Sequence, residues 1–197
     1  MIQDIEKAKV EADVVIVSMH WGIHFKEAVI AEYQRYYAHF AIDHGADLVL
    51  GHHAHILKPI EIYKGKAIFY SLGHFAMEEV TDMLRDQATL HQDMLTSKNH
   101  MEMTAISDGF KTTKRSFPMD CYYTMVAKWE VEQGKITKIS WLPAYLPADG
   151  APYLVKRDDP LFGEILDYMN KITAHEGLMT EYWICGDEIV LTEAAYE

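Results

Sequence analysis

After a charged opening stretch, the chain turns abruptly apolar and β-branched at Asp13–Met19. An apolar run of this length without alternation predicts a strand buried on both faces. Helical spacing follows over Glu27–His44, with Ile30, Tyr33, Tyr37, Phe40 and Ala41 on one side and Gly45 placed as the stop. Asp47–Leu50 is a second buried run, ending at Gly51. Strand, crossover helix and strand make a βαβ unit, so the two strands are expected to be parallel. Ile60–Tyr63 and Ala67–Leu72 flank Lys64-Gly65 and predict a hairpin.

The pattern changes from Met77. Residues 77–97 are polar and Met-rich with slight helical character, and residues 98–119, which include Lys111-Thr-Thr-Lys-Arg115, have no period. This predicts an irregular excursion outside the sheet, in one version a lid over the site. Tyr122–Val131 and Lys135–Leu142 alternate around Gln133-Gly134 and predict a second hairpin. Asp159 and Pro160 read as N-cap and first residue of a last helix, with Leu161, Ile165, Leu166, Met169 and Ile172 as its stripe. The tail after Gly177 fits no single element. The organisation expected is one partial domain over 1–197. It has an α/β core at 10–75, a helical or irregular insertion at 77–120, and a hairpin plus closing helix at 121–175.

Composition narrows the function. The 197 residues carry 18 basic and 30 acidic side chains, a net charge of −12, which argues against a nucleic-acid partner. No apolar run approaches a membrane span. The first twelve residues contain no apolar core of a signal peptide. Cys121 and Cys185 make no disulfide framework, and the expectation is a reducing, cytoplasmic setting. The unusual count is eleven histidines, eight of them within the first 74 residues.

In open α/β sheets, ligands lie beyond the carboxyl ends of the parallel strands. His20 is read as directly following the first strand, His52, His53 and His55 the second, and His74 the strand at 67–72. Three successive strand ends thus aim imidazole at one rim, and neutral imidazole is a ligand for zinc, iron or manganese. His53-Ala54-His55 would put two rings on one side of an extended segment. His74 reads either as a general acid/base or as a polar loop residue. His24 either shares a helical face with His20 or sits in a solvated loop. His39, His44, His91, His100 and His175 read as structural. Trp21 and Gly22 are expected to position His20, the indole as a wall and the glycine allowing close approach.

Ser18-Met-His-Trp-Gly22, Gly45-Ala-Asp-Leu-Val-Leu-Gly-His-His-Ala-His55 and Ile68-Phe-Tyr-Ser-Leu-Gly-His-Phe75 together resemble the CapA family of capsule and poly-γ-glutamate biosynthesis. That family is similar to calcineurin-type metallophosphoesterases. Gly134-Lys-Ile-Thr-Lys-Ile-Ser-Trp-Leu-Pro143 and the helix at 160–173 resemble its later hairpin and closing helix. The resemblance implies an α/β fold, a metallophosphoesterase-like β-sandwich flanked by helices, of which this chain looks like the second half. It implies His20, His53 and His55 as metal ligands, with the register of His52 against His53 open by one position. His52, His74 and His24 are then left to handle protons or substrate. Two departures add imidazole to the rim: His74 replaces the family's usual Asn, and His24 stands near its usual Glu. The family's Gly-Asp and Asn-His motifs, expected on earlier strands, are matched in letters by Gly186-Asp187 and Asn99-His100, which read as chance.

Two functions follow. One is a metal-dependent hydrolase of phosphoesterase type, with divalent manganese, zinc or iron ions about 3.5–4 Å apart activating water on an anionic small-molecule or polymer substrate. The other is a non-catalytic, truncated or split member acting in polymer assembly or export. A histidine-rich cytosolic metal binder is a third, weaker reading, because the histidines sit at strand ends rather than in a tract. Glu78 and Glu79 are the nearest carboxylates able to complete a one-metal site. Asp13 and Asp47 lie at the wrong, amino-terminal ends of their strands. An incomplete domain would expose an apolar patch or sheet edge and favour self-association. Members of the resembled family are also found at the cell surface.

Overall fold

A computed structural model describes residues 1–76, 119–147 and 150–193. The predicted excursion at 98–119, its lid version, His91, His100, Glu78 and Glu79 lie outside these, apart from Met119 at the edge of a short 3₁₀ turn over Met119–Tyr122.

The elements run α1 (Ile2–Glu11), β1 (Ile16–Trp21), α2 (Glu32–Asp43), β2 (Leu48–His53), β3 (Ile60–Tyr63) and β4 (Lys66–Phe69). After the 3₁₀ turn come β5 (Tyr123–Glu132), β6 (Lys135–Tyr145), β7 (Tyr153–Leu154), α3 (Pro160–His175), β8 (Thr180–Cys185) and β9 (Glu188–Glu193). Mixed α/β architecture is therefore observed. The first sheet has the order β1-β2-β4-β3, and the second the order β5-β6-β9-β8 with β7 against β6. As the βαβ reading requires, β1 is parallel to β2, and β2 is parallel to β4. Gly45 stops α2 at a φ of +109°, and the two predicted hairpin turns, Lys64-Gly65 and Gln133-Gly134, take positive φ throughout.

Two cores explain the layering. Ile5 of α1, Ala38, Ala41 and Ile42 of α2, and Val49, Ile68 and Tyr70 form one, on one face of the first sheet. On the other face, Leu48, Leu57, Ile60 and Phe69 share a larger core with Met125, Trp141, Ile189 and Leu191 and with Phe162, Ile165, Met169 and Ile172 of α3. The central strand β2 is thus buried on both faces, as its apolar run implied.

Several expectations are corrected. β1 starts three residues later than read and is an edge strand whose burial alternates with exposure. A short apolar run cannot by itself tell an edge position from a central one. α2 begins at Glu32 and buries Gln34, Ala38, Ala41 and Ile42, whereas Tyr33, Tyr36 and Tyr37 are exposed. Small residues, not the aromatic stripe, let this helix approach the sheet. β4 ends at Phe69, with Leu72 only bridging Leu57. The ambiguous tail is a hairpin, β8–β9, that completes the second sheet, and Gly186-Asp187 is its turn. Asp187 there accepts from Arg157 N–H at 2.9 Å and pairs with Lys156 at 3.0 Å.

α3 is capped as read, with Asp159 accepting from Leu161 N–H and Pro160 opening the helix. Its buried stripe adds Phe162 and Tyr168, and Leu161 and Leu166 lie at the margin. Both cysteines are free, Cys121 buried and Cys185 exposed. Among the described residues no helix is long and apolar enough to cross a membrane.

Gly51 sets the closest approach in the first sheet. A Cβ there would meet Tyr70 O at 2.2 Å and Trp21 Nε1 at 2.6 Å, both closer than atoms can pack. Gly51→Ala is expected to cost about 2–4 kcal/mol, because backbone must shift rather than a flexible side chain. Gly163→Ala, in α3 with nothing within 4 Å of the new methyl, should instead gain about 0.5–1 kcal/mol. Urea midpoints of the two variants, at unchanged m, check the contrast.

Candidate functional site

The parallel pairing of β1 with β2 runs to the last residues of both strands, with His20 opposite His52 and Trp21 opposite His53. His20, His52 and His53 therefore lie inside strand ends and not beyond them, because the ladder extends the strands further than their apolar runs suggested. Trp21 is buried and its indole N–H donates to Tyr70 O at 3.1 Å, passing over Gly51. Gly22 N–H donates to Tyr33 Oη at 2.7 Å and starts the loop back across the rim.

The rings do meet. His53 Nδ1 lies 2.8 Å from His20 Nε2. His24 is centred 3.9 Å from His53 and 5.1 Å from His55, and His53 is centred 6.2 Å from His55. His74 closes the group, its Nε2 against His55 Nδ1 with ring centres 4.6 Å apart. Three adjacent strand ends thus converge on one rim. His52 adjoins the group through its register with His20. His24 is not on a helix with His20 but in an exposed turn, as the solvated-loop reading had it, and that loop brings its ring against His53 and His55. His74 is a loop residue, as one of its two readings had it, but a buried one, with 8% exposure.

The convergence of His53 and His55 has a different cause from the extended alternation expected. Both are left-handed, with φ of +92° and +61°. Phe25 at +52° and Ala28 at +61° on the facing loop are also left-handed. Among the described residues six non-glycine residues have positive φ, and the two others are hairpin-turn residues. Among those residues, left-handed backbone outside the hairpin turns is thus confined to the rim and its facing loop, where conformations unfavourable by order 1–3 kcal/mol each persist only if the surroundings dictate them.

The electrostatics favour neutral rings. Burial, reinforced by the neighbouring His74, His24, His53 and His20, pushes His55 down to about 4. Burial also lowers His74, and burial followed by His20 lowers His52. Neutral imidazole is the form that coordinates a metal. The donor set therefore suits a divalent ion that accepts nitrogen. The 2.8 Å between His53 Nδ1 and His20 Nε2 is hydrogen-bond spacing. Yet among the described residues no three His, Cys, Asp or Glu side chains are grouped so that they could hold one ion. Asp47 is engaged at the other end of the sheet, accepting from Val15 N–H and pairing with Lys66.

The remaining histidines in the described region keep structural partners. His39 pairs with Glu61 at 2.9 Å and stacks on Tyr63, and His44 Nδ1 bonds Phe40 O at 2.7 Å. Two rim residues escaped the sequence reading. Phe25 stacks on both His24 and His55. Lys58 is buried and bonds the loop that carries His24. A charge inside the apolar run Ile56–Ile60 was the signal for Lys58; nothing in the sequence singled out Phe25.

Comparison with known proteins matches residues 1–79 to the family described as bacterial capsule synthesis protein PGA_cap. The PGA biosynthesis protein CapA of Bacillus subtilis (strain 168) is 36% identical over 149 residues, 68% of this chain and 37% of that protein. The capsule biosynthesis protein CapA of Bacillus anthracis is 36% identical over 92 residues, 45% of this chain and 22% of that protein. A probable polyglutamine synthesis accessory protein of Mycobacterium tuberculosis (strain ATCC 25618 / H37Rv) is 49% identical over 61 residues, 31% of this chain and 16% of that protein. The matched stretch thus spans little more than a third of the relative that it covers most fully.

The titration of the rim has a definite sign. A histidine whose pKa is lowered on folding contributes stability that is full above its unfolded value of 6.5 and lost as pH falls through its folded value, about 4 for His55. In a chelator-treated sample, acidification from pH 7 to pH 4 should destabilise the protein by on the order of 1–2 kcal/mol through His55 after solvent screening. His55→Gln should flatten that dependence, as read by urea unfolding across the pH series.

Proposed function

The chain belongs to the CapA-type family of bacterial capsule-synthesis proteins, and from that premise we propose that its histidine rim is the metal-holding part of a phosphoesterase-type site used in making an anionic surface polymer. The observation that carries this reading is the convergence of His20, His24, His53, His55 and His74 from three strand ends and one strained loop, with His55 and His74 held toward the neutral form by burial. A purely structural role leaves that concentration of strain and imidazole without a purpose. The mixed α/β architecture with two sheets sharing a core fits a metallophosphoesterase-like sandwich, which is part of the proposal.

In this reading His20, His53 and His55 hold a divalent manganese, zinc or iron ion. When bound, such an ion polarises a phosphoryl oxygen and lowers the pKa of water. His74, buried against His55 Nδ1, fixes the orientation of that ring and its tautomer, as partners behind metal-binding histidines do. His24 lies on the open side of His53 and His55 and can accept or deliver a proton to a bound anion. His52 adjoins His20 across the ladder and completes the proton-handling set. Phe25 stacks on His24 and His55 and covers that part of the rim with apolar surface.

A second reading has its own observation. Since the described residues group no three donors around one point, the chain also fits a non-catalytic holder of polymer, acting in its assembly or export.

Zinc or manganese titrated into the chelator-stripped protein is expected to bind, and His20→Ala and His53→Ala should each weaken binding by about tenfold or more. Equal affinity in wild type and His53→Ala would overturn the metal site. An assay with phosphodiester and phosphomonoester substrates, run with added metal on both proteins, separates the two readings. Turnover abolished by His53→Ala marks the hydrolase, and metal binding without turnover marks the holder.

A further inference from the structure

Lys58 is 0% exposed and is the one charged residue in the apolar stretch 56–60. Its ammonium donates to Lys26 O and, at 3.0 Å, to Val29 O. Both carbonyls belong to the loop that joins β1 to α2 and carries His24. The same loop is tied to the histidine segment by Phe25 N–H donating to Ala54 O at 2.9 Å. Between these ties the backbone is left-handed at Phe25 and Ala28 and makes a tight turn through Val29 N–H to Glu27 O, 2.7 Å. A path of that kind holds only where the surroundings over-determine it.

A lysine is an unfavourable choice for such a place. Its hydrogen bonds go to carbonyls and not to a carboxylate, and burial, offset in part by the more distant charge of Glu176, pushes its amine down to about 8. A methionine or leucine would fill the space without the desolvation penalty. What lysine adds over a hydrocarbon is a pair of donors aimed at two carbonyls three residues apart. Those carbonyls flank the turn that swings the loop over the rim.

We propose that Lys58 is the positioning residue of the histidine rim: by holding the Lys26 and Val29 carbonyls from below, its buried ammonium fixes the loop so that His24 lies over His53 and His55. The proposal rests on reading the rim as the functional site, but it concerns the geometry of the loop, and the two can fail separately.

The test uses the full chain with Lys58→Met and Lys58→Ala. Three quantities are measured: amide exchange, ring ¹H–¹⁵N signals of the histidines, and zinc affinity. In Lys58→Met, exchange at Phe25 N–H should rise on the order of tenfold while Leu50 and Ile68 stay near wild type. The His24 ring signals should move, with those of His53 and His55 following, and those of His39 should not. In Lys58→Ala, added ethylammonium should restore the wild-type ring signals, and ethanol, of similar size but uncharged, should not. If Lys58→Ala fails to fold, the methionine variant carries the test.

Exchange rising equally across the sheet would overturn the proposal, since it marks a general core role. His24 signals unchanged in Lys58→Met, or rescue by ethanol as good as by ethylammonium, would overturn it as well. If wild type binds no zinc while the ring and exchange results hold, the metal reading falls and the role of Lys58 stands.

Discussion

The rim depends on one hydrogen bond, from the Trp21 indole to the Tyr70 carbonyl, laid over the bare Cα of Gly51. β1, β2 and β4 each bring histidine to the same end of the sheet, and the three strands must close ranks there for the rings to touch. A side chain at position 51 would hold the outer strands apart. With a hydrogen there instead, the tryptophan of the edge strand reaches across the central strand to the backbone beyond β4. The same tryptophan is opposite His53 in the ladder, so the contact that closes the sheet also fixes where that histidine stands.

From that closure the rest of the site follows by crowding. Burial, with the neighbouring imidazoles adding to it at His55, holds His55 and His74 toward the neutral form, and ring nitrogens face one another across the group. In water such rings would drift apart. Here they are pinned from above by a loop with left-handed residues, and from behind by His74 and the buried Lys58. Left-handed residues outside the hairpin turns lie with His74 and Lys58 at one end of the first sheet among the described residues, and the larger core is ordinary packing of residues such as Leu, Ile, Phe and Trp. That division is expected where function departs from the rules of stable folding.

The scaffold was legible in the chain wherever one residue type has one structural meaning. Gly45, the two hairpin dipeptides, the Asp159-Pro160 start and the doubly buried Leu48-Val49 run all acted as their chemistry dictates. The histidines could be assigned to one rim because parallel topology sends strand ends the same way. Contacts made only in three dimensions were not legible. The exposed tyrosines of α2 mimic a core stripe, and its true contact face is made of alanines whose small size matters only against the sheet. The strand ends ran longer than their apolar runs because pairing, not hydrophobicity, decides where a ladder stops. The β8–β9 hairpin was obscured because its consecutive apolar residues Trp183 and Ile184 are both exposed, blurring the alternation.

The first sheet is held at its two ends by different chemistries. At the amino ends, Asp47 bridges Val15 N–H and the Lys66 ammonium. Burial acts to raise that carboxyl, but the hydrogen bond and the ion pair outweigh it and keep it below the usual carboxylate range. Its contribution is therefore lost only in strong acid, below the ordinary aspartate value of 3.8. The imidazole end begins to charge at milder acidity. Between the two thresholds lies a window in which like charges gather at the rim while the opposite end of the sheet is still clasped. A protein so arranged would open first at its mouth and last at its root, shedding whatever the rim holds before it surrenders the fold.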